Sequence, residues 1–387
     1  MKLEGNNWIY VGNPGFTSSY VYFTSIAFGP SGQPYIAYYD NAFAGKATVK
    51  TFDGVSWVNV GIPGFTTGGA SYTCLVFSPN GEPYLAFRDI ANNYKVTVKM
   101  FNGNTWITVG NEGFSVGESA YVSLAINSQG EPYVAFQDFG YLEKASVMKY
   151  DGNAWVYVGN PGFSSGYAEY TSIAFSLSGE PYVAFCDFAY QFRPRVMKFN
   201  GSSWLDVGSP TFLSGSAEYT SLVFGPDGIP YLGFKDWSSS QKTSVVKFNG
   251  TDWVNVGSPG FSSDTANYTS LAISTNGSLS IAYQDGANSF KASVMKYDSI
   301  FTWITEPLHS EISIYPNPVN DFLSIDLRNK TWEINSIEIT NSLGMIMYTA
   351  LSSGKKLDIN INNFSSGSYI LKVHTSGPTF IKKIFKR

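Results

Sequence analysis

The chain has 387 residues, 17% of them aromatic and only 14% charged, with 38 glycines and a formal net charge of −4. That length allows two or three domains, and the mixture fits an all-β protein rich in tight turns while excluding a disordered or long-helical one. From Pro307 onward there are 9 Lys+Arg against 6 Asp+Glu, leaving 16 against 23 before it, so an acidic body precedes a basic tail. An acidic body without a Lys/Arg stripe argues against a nucleic-acid partner. Apolar runs reach only about five residues, so no membrane span is expected. Cys74 and Cys186 fall at unrelated repeat positions and are expected as two buried thiols rather than a disulfide.

The first twelve residues, MKLEGNNWIYVG, align without gaps with MKYDGNAWVYVG at 148–159. They are expected to be the third and fourth strands of a unit whose first two strands are missing. With no signal peptide after Met1, the expectation is an N-terminally truncated version of a longer protein.

Repetition then dominates. Trp8, Trp57, Trp106, Trp155, Trp204, Trp253 and Trp303 recur every 49 residues, the last after 50. Each unit holds four short runs of alternating apolar residues, and no useful helical period appears. In the fourth unit the runs are TSIAF, PYVAF, RVMKF and the Trp204 run, after the connector at 160–170. Runs one and two are joined through a glycine (Ser176 to Glu180), runs three and four by Asp-Gly or Asn-Gly, as at Asp151-Gly152; both are hairpin signals. The longer connector can span from the outer strand of one sheet to the inner strand of the next. The predicted fold is all-β: a β-propeller of six complete four-stranded blades plus an N-terminal half blade over residues 1–305. A linker at 306–311 and a small C-terminal β-sandwich at 312–387 follow.

Asp40, Asp89, Asp138, Asp187, Asp236 and Asp285 close the second run, each followed six residues later by Lys or Arg. Turn and ion-pair duty within each blade is expected of them rather than a metal site, because the blades separate them. The tryptophans are expected to pack their hairpins. Positions that differ between blades are the better candidates for a ligand. Before each Asp stand Tyr39, Arg88, Gln137, Cys186, Lys235 and Gln284, and the loops that follow carry Tyr141, Tyr190 and Trp237. Aromatic rings mixed with Gln, Lys and Arg on one propeller face suit sugar rings and hydroxyls.

The Asp151–Trp155 hairpin resembles the Asp-box of bacterial sialidases, with one residue fewer, and the repeats resemble propeller lectins in architecture. Sialidase chemistry would require three converging arginines. Before residue 307 only Arg88, Arg193 and Arg195 exist, two of them in one predicted loop, and both histidines, His309 and His374, come later. No cofactor, catalytic residue or metal site is expected.

The tail reads as strands around a Pro316-Asn317-Pro318 turn, turns at Leu343-Gly344 and at Gly367, then Tyr369 in SYILKV and Lys382-Lys383 near the end. These motifs, in this order, resemble the type A C-terminal domain of the type IX (Por) secretion system of Bacteroidetes. The resemblance implies export across the outer membrane, with the translocon as partner and an extracellular or outer-membrane-surface location. The functional expectation is a secreted binding or adhesion propeller with surface glycans as ligand. A sialidase-like glycoside-active enzyme and a ligand-free spacer are the alternatives.

Overall fold

The computed structural model describes residues 2–4, 7–274, 277–297, 312–327, 331–341, 346–377 and 379–386. Contacts divide the chain into two compact units, 1–298 and 299–387. The expected linker at 306–311, His309, Gly344 and the strand around Trp303 lie outside the described residues.

In the first unit, five four-stranded antiparallel sheets follow one another, each made of consecutive strands in spatial order. Repeat 4 is typical: Ala168–Phe175, Pro181–Asp187, Arg193–Phe199 and Trp204–Asp206. A sixth sheet shows three strands among the described residues, Ala266–Ile273, Leu279–Asp285 and Lys291–Tyr297. A two-stranded hairpin, Lys2–Glu4 with Asn7–Ile9, stands ahead of them. Its Leu3↔Trp8 register is that of Tyr150↔Trp155 in repeat 3.

Turn chemistry places the hairpins. Asp151 Oδ1 accepts from Asn153 N and Ala154 N, both at 2.9 Å, and Gly152 takes φ 96°, a left-handed angle that glycine adopts without strain. Arg193 and Arg195 lie on the third strand, not in the preceding loop, because a 3-10 turn of three residues, Phe188–Tyr190, completes the reversal.

Each connector bonds on both sides. Ahead of repeat 5, Ala217 N donates to Phe192 O of repeat 4 at 2.9 Å, and Trp237 N of repeat 5 donates to Ser216 O at 3.1 Å. Connectors and 3-10 turns therefore build one face, and the tight hairpins turn back on the other.

First strands lie side by side through the unit. Ile173 N donates to Ser123 Oγ at 3.1 Å and Leu222 N to Ser172 Oγ at 3.0 Å, so a hydroxyl on one repeat satisfies a backbone donor on the next. The tryptophans do more than pack their own hairpins. Trp204 Nε1 donates to Val158 O of the preceding repeat at 2.7 Å, and its ring stacks on Phe163 at 4.4 Å. Trp57 makes the same bond to Val11 O at 2.7 Å, so the N-terminal segment sits where a preceding repeat would.

The expected pairing of each repeat Asp with the cation six residues later is corrected. Asp40, Asp89, Asp138, Asp187, Asp236 and Asp285 do cap the 3-10 turn, accepting from the backbone N–H two residues on. They also accept from side chains eight residues on, not six: Thr97, Ser244 and Ser293 hydroxyls in repeats 2, 5 and 6, and the Arg195 guanidinium in repeat 4, with Asn92, Ser239 and Asn288 three residues on adding further bonds. The sixth and the eighth residue both share the face of the Asp, but the sixth opens the strand at its more exposed end while the eighth lies deeper in it. In repeat 3 burial pushes the Asp138 carboxyl above its usual range.

The two ends of the series are bare. Ile26 in repeat 1 is 62% exposed, whereas its equivalent Leu75 is 3% exposed. Val294 in repeat 6 is 38% exposed against 2% for Val245.

The second unit holds two sheets around one apolar core that includes Val319, Leu323, Ile337, Leu371 and Ile384. Pro316-Asn317-Pro318 is laced to the final strand, Thr379–Lys386. Asn317 Oδ1 accepts from Phe385 N at 2.9 Å and Val319 N donates to Phe385 O at 2.7 Å. Gly367 opens the strand that pairs with Lys382 and Lys383, and the Tyr369 hydroxyl donates to Ser365 O at 2.8 Å.

Replacing Trp204 with Phe should lower the stability of the repeat unit by about 1–3 kcal/mol, because the Val158 carbonyl loses its donor and the ring shrinks. Denaturant unfolding followed by tryptophan fluorescence measures it; an unchanged midpoint would show that the indole bond contributes nothing.

Candidate binding site along the inner strands

Every first strand carries the same irregularity. In repeat 4 the register runs Glu169↔Cys186 and then Ser172↔Ala184, a bulge that leaves Tyr170 inside it. The bulge residues Phe23, Tyr72, Tyr121, Tyr170, Tyr219 and Tyr268 all take φ between 50° and 55°. A bulky residue is held there only where its surroundings compel it. Threonine hydroxyls supply part of that hold: Thr171 donates to Tyr121 O, and Thr220 to Tyr170 O.

The consequence is a column of rings. Centroids from Phe23 through Tyr268 follow one another at 4.9, 5.4, 4.7, 4.7 and 4.7 Å. Burial raises the phenols, Tyr219 to about 12 and Tyr121 and Tyr170 as well, so they present rings and O–H donors at neutral pH.

Beside the column runs a belt of cross-strand pairs: Tyr22↔Tyr39, Ser71↔Arg88, Ala120↔Gln137, Glu169↔Cys186, Glu218↔Lys235 and Asn267↔Gln284. Five of the sequence candidates, Tyr39, Arg88, Gln137, Lys235 and Gln284, therefore share one structural position. At repeats 5 and 6 the pairs join into a network. Lys235 Nζ donates to Glu218 Oε2 at 3.2 Å and to Asn267 Oδ1 at 3.0 Å, Trp237 Nε1 donates to Glu218 Oε1 at 3.1 Å, and Asn267 Nδ2 donates to Gln284 Oε1 at 3.1 Å. The Trp237 ring beside it is 46% exposed.

Other candidates are engaged elsewhere. Arg88 pairs with Glu118 at 3.3 Å and lies over the Tyr94 ring. Tyr141 packs edge-on against Tyr157, and Tyr190 lies under the Arg195 guanidinium. Arg195 itself is buried between Asp187 and Asp206, both at 2.6 Å, so the arginines of repeats 2 and 4 serve separate local bonds. Both cysteines are free, Cys186 fully buried and Cys74 accepting from Leu124 N at 3.3 Å. Among the described residues no group of three or more His, Cys, Asp or Glu could hold a metal ion, and no helix is long and apolar enough to cross a membrane.

Sequence reasoning missed the column and the inner half of the belt: Glu169, Glu218 and Asn267. The signal was present, since aromatic residues recur at 49-residue intervals from Phe23 to Tyr268, but Tyr170 read as the end of a connector. Glu169 is half-buried, and its carboxyl makes no hydrogen bond or ion pair with another described residue. Burial first, then Glu218 and Glu143, push its carboxyl above the usual carboxylate range.

Residues 313–387 match the family model of the secretion system C-terminal sorting domain. The tail is a sorting domain. A curated relative, the ulvan lyase NLR42 of Nonlabens ulvanivorans, is 37% identical over 65 residues, which is 16% of this chain. The chain spans 12% of that relative's length. Among solved structures, the SapL1 lectin in complex with alpha methyl fucoside superposes with a TM-score of 0.51 at 15% identity, covering 72% of this chain and 94% of the lectin. An alpha-L-arabinofuranosidase of Fusarium graminearum, complexed with an iminosugar inhibitor, gives 0.51 at 13% identity, covering 74% of this chain and 96% of that enzyme. At such identities the likeness shows the fold alone, a propeller-like series of antiparallel sheets. The sorting domain implies dealings with the type IX secretion machinery and a place outside the cell or on its surface.

Glu169→Gln tests the strained carboxyl. An acid whose pKa is raised by folding keeps its proton longer in the folded chain, so wild-type stability falls as pH rises through the ordinary carboxylate range. The variant should unfold at a higher temperature than wild type at pH 7 and at the same temperature near pH 3. Coincident midpoints at both pH values would show that Glu169 is not strained.

Proposed function

We propose that this is a secreted surface-binding protein. A propeller of six complete blades and an N-terminal half blade over residues 1–305 displays a glycan site, and a sandwich-type sorting domain at 312–387, after a linker at 306–311, directs type IX export. The observation that carries the binding reading is the Trp237–Glu218–Lys235–Asn267–Gln284 network. An exposed indole face lies beside fixed donors and acceptors, the pairing that a sugar's apolar face and hydroxyls require. The similar folds of a lectin and an arabinofuranosidase support a carbohydrate reading without choosing between binding and cleavage.

One observation favours the enzymatic alternative. Glu169, raised and unpaired, and Glu218, ion-paired to Lys235, stand on neighbouring first strands, and glycoside cleavage uses two carboxyls in unlike environments. Aryl-glycoside turnover lost in both Glu169→Gln and Glu218→Gln would establish it.

For the binding reading, a glycan array probed with the full chain should show at least one ligand, and Trp237→Ala should weaken it by about 1–3 kcal/mol. A silent array together with unchanged cell binding by Trp237→Ala would sink it. In the tail, Pro316, Asn317, Pro318, Gly344, Gly367, Tyr369, Lys382 and Lys383 are the residues we assign to translocon recognition. Deleting 312–387 should leave the repeats in the periplasm of a type IX-competent host. Surface display of the shortened protein, read by protease shaving, would refute the export route.

A further inference from the structure

The belt is fully paired at one repeat boundary and unpaired at another. Between repeats 5 and 6, Lys235 Nζ crosses to Asn267 Oδ1 at 3.0 Å. Two repeats earlier, 98 residues back, the same two positions hold Gln137 and Glu169. Gln137 is only 4% exposed, yet its amide bonds to no other described residue. Its cross-strand neighbour is Ala120, the smallest side chain at that position in any repeat. The rings of Tyr121 and Tyr170, 4.7 Å apart, line the same boundary.

Charge at this cleft is one-sided. Glu143 and Glu218 act on Glu169, and among the described residues no cation does. The belt's own cations are committed: Lys235 to Glu218 and Arg88 to Glu118. A half-buried carboxylate without a counter-charge costs stability unless a ligand supplies what is missing, and the Gln137 amide is uncommitted beside it.

We infer that the cleft between repeats 3 and 4 is a subsite for a protonated amino sugar. Glu169 receives the ammonium, the Gln137 amide receives neighbouring hydroxyls, and Tyr121 and Tyr170 offer ring faces to the cation and to the sugar ring. A neutral sugar satisfies the amide but leaves the Glu169 charge uncompensated. The inference rests on the glycan-binding reading and narrows it to cationic saccharides at a second place.

The test is calorimetric titration of the full chain with a glucosamine tetramer and with its fully N-acetylated counterpart. The deacetylated oligomer should bind about tenfold or more tightly than the acetylated one, and Glu169→Gln should remove that advantage. Gln137→Ala should weaken both oligomers several-fold, and unfolding midpoints no lower than wild type confirm that each variant is folded. Equal affinity for the two oligomers, or an advantage that survives Glu169→Gln, overturns the inference. If the acetylated oligomer binds, loses affinity in Trp237→Ala, and the free amine adds nothing, the amino-sugar subsite fails and the general glycan reading stands. If neither oligomer binds and the array is also silent, both fail.

Discussion

A four-stranded sheet of this size leaves both of its faces apolar, and it buries them only by lying against another sheet. In the repeat unit that packing is held in register by bonds at both edges of the boundary. At the inner edge a serine hydroxyl, or the Cys74 sulfur in repeat 2, accepts from the backbone of the next repeat. At the outer edge a tryptophan indole donates to a valine carbonyl one repeat back. Because each bond joins a side chain to backbone, it fixes position whatever neighbouring side chains are present. The belt can therefore vary from repeat to repeat without loosening the frame. Where the series stops, at Ile26 and Val294, the apolar faces become exposed, as this dependence on neighbours requires.

The bulge in each first strand converts that frame into a site. A regular strand would alternate its side chains between the two cleft walls. The extra residue, held at positive φ, turns an aromatic ring out of the alternation, and stacking six such strands aligns six rings. The pair of positions just before the bulge is then presented beside the rings in every repeat. Repeats 5 and 6 fill it with a closed network, and repeats 3 and 4 leave Gln137 and Glu169 without partners. Strain in the backbone and an unmatched carboxyl thus meet along one line, the combination expected where a fold trades stability for binding.

In the second unit the constraint is different. The Pro316-Asn317-Pro318 segment has few backbone donors, since proline carries none, and it is anchored through the Asn317 side chain and Val319 N to Phe385. The two ends of the sorting domain are thereby joined.

The 49-residue spacing of tryptophans, the Gly-containing turns and the Pro-Asn-Pro tail motif determined the repeat architecture and the sorting domain, because turn chemistry and alternation are local properties of neighbouring residues. Five belt residues were legible for the same reason: Tyr39, Arg88, Gln137, Lys235 and Gln284 differ at a position where the repeats are otherwise alike. Tertiary structure alone decided the rest. Asp187 meets Arg195 instead of Arg193 because the eighth residue lies in the buried part of the strand while the sixth stands at its more exposed end. The tyrosine column, and the meeting of Lys235 with Asn267 across a repeat boundary, exist only once separate strands are laid side by side, and no spacing within one strand encodes which neighbour a side chain will face.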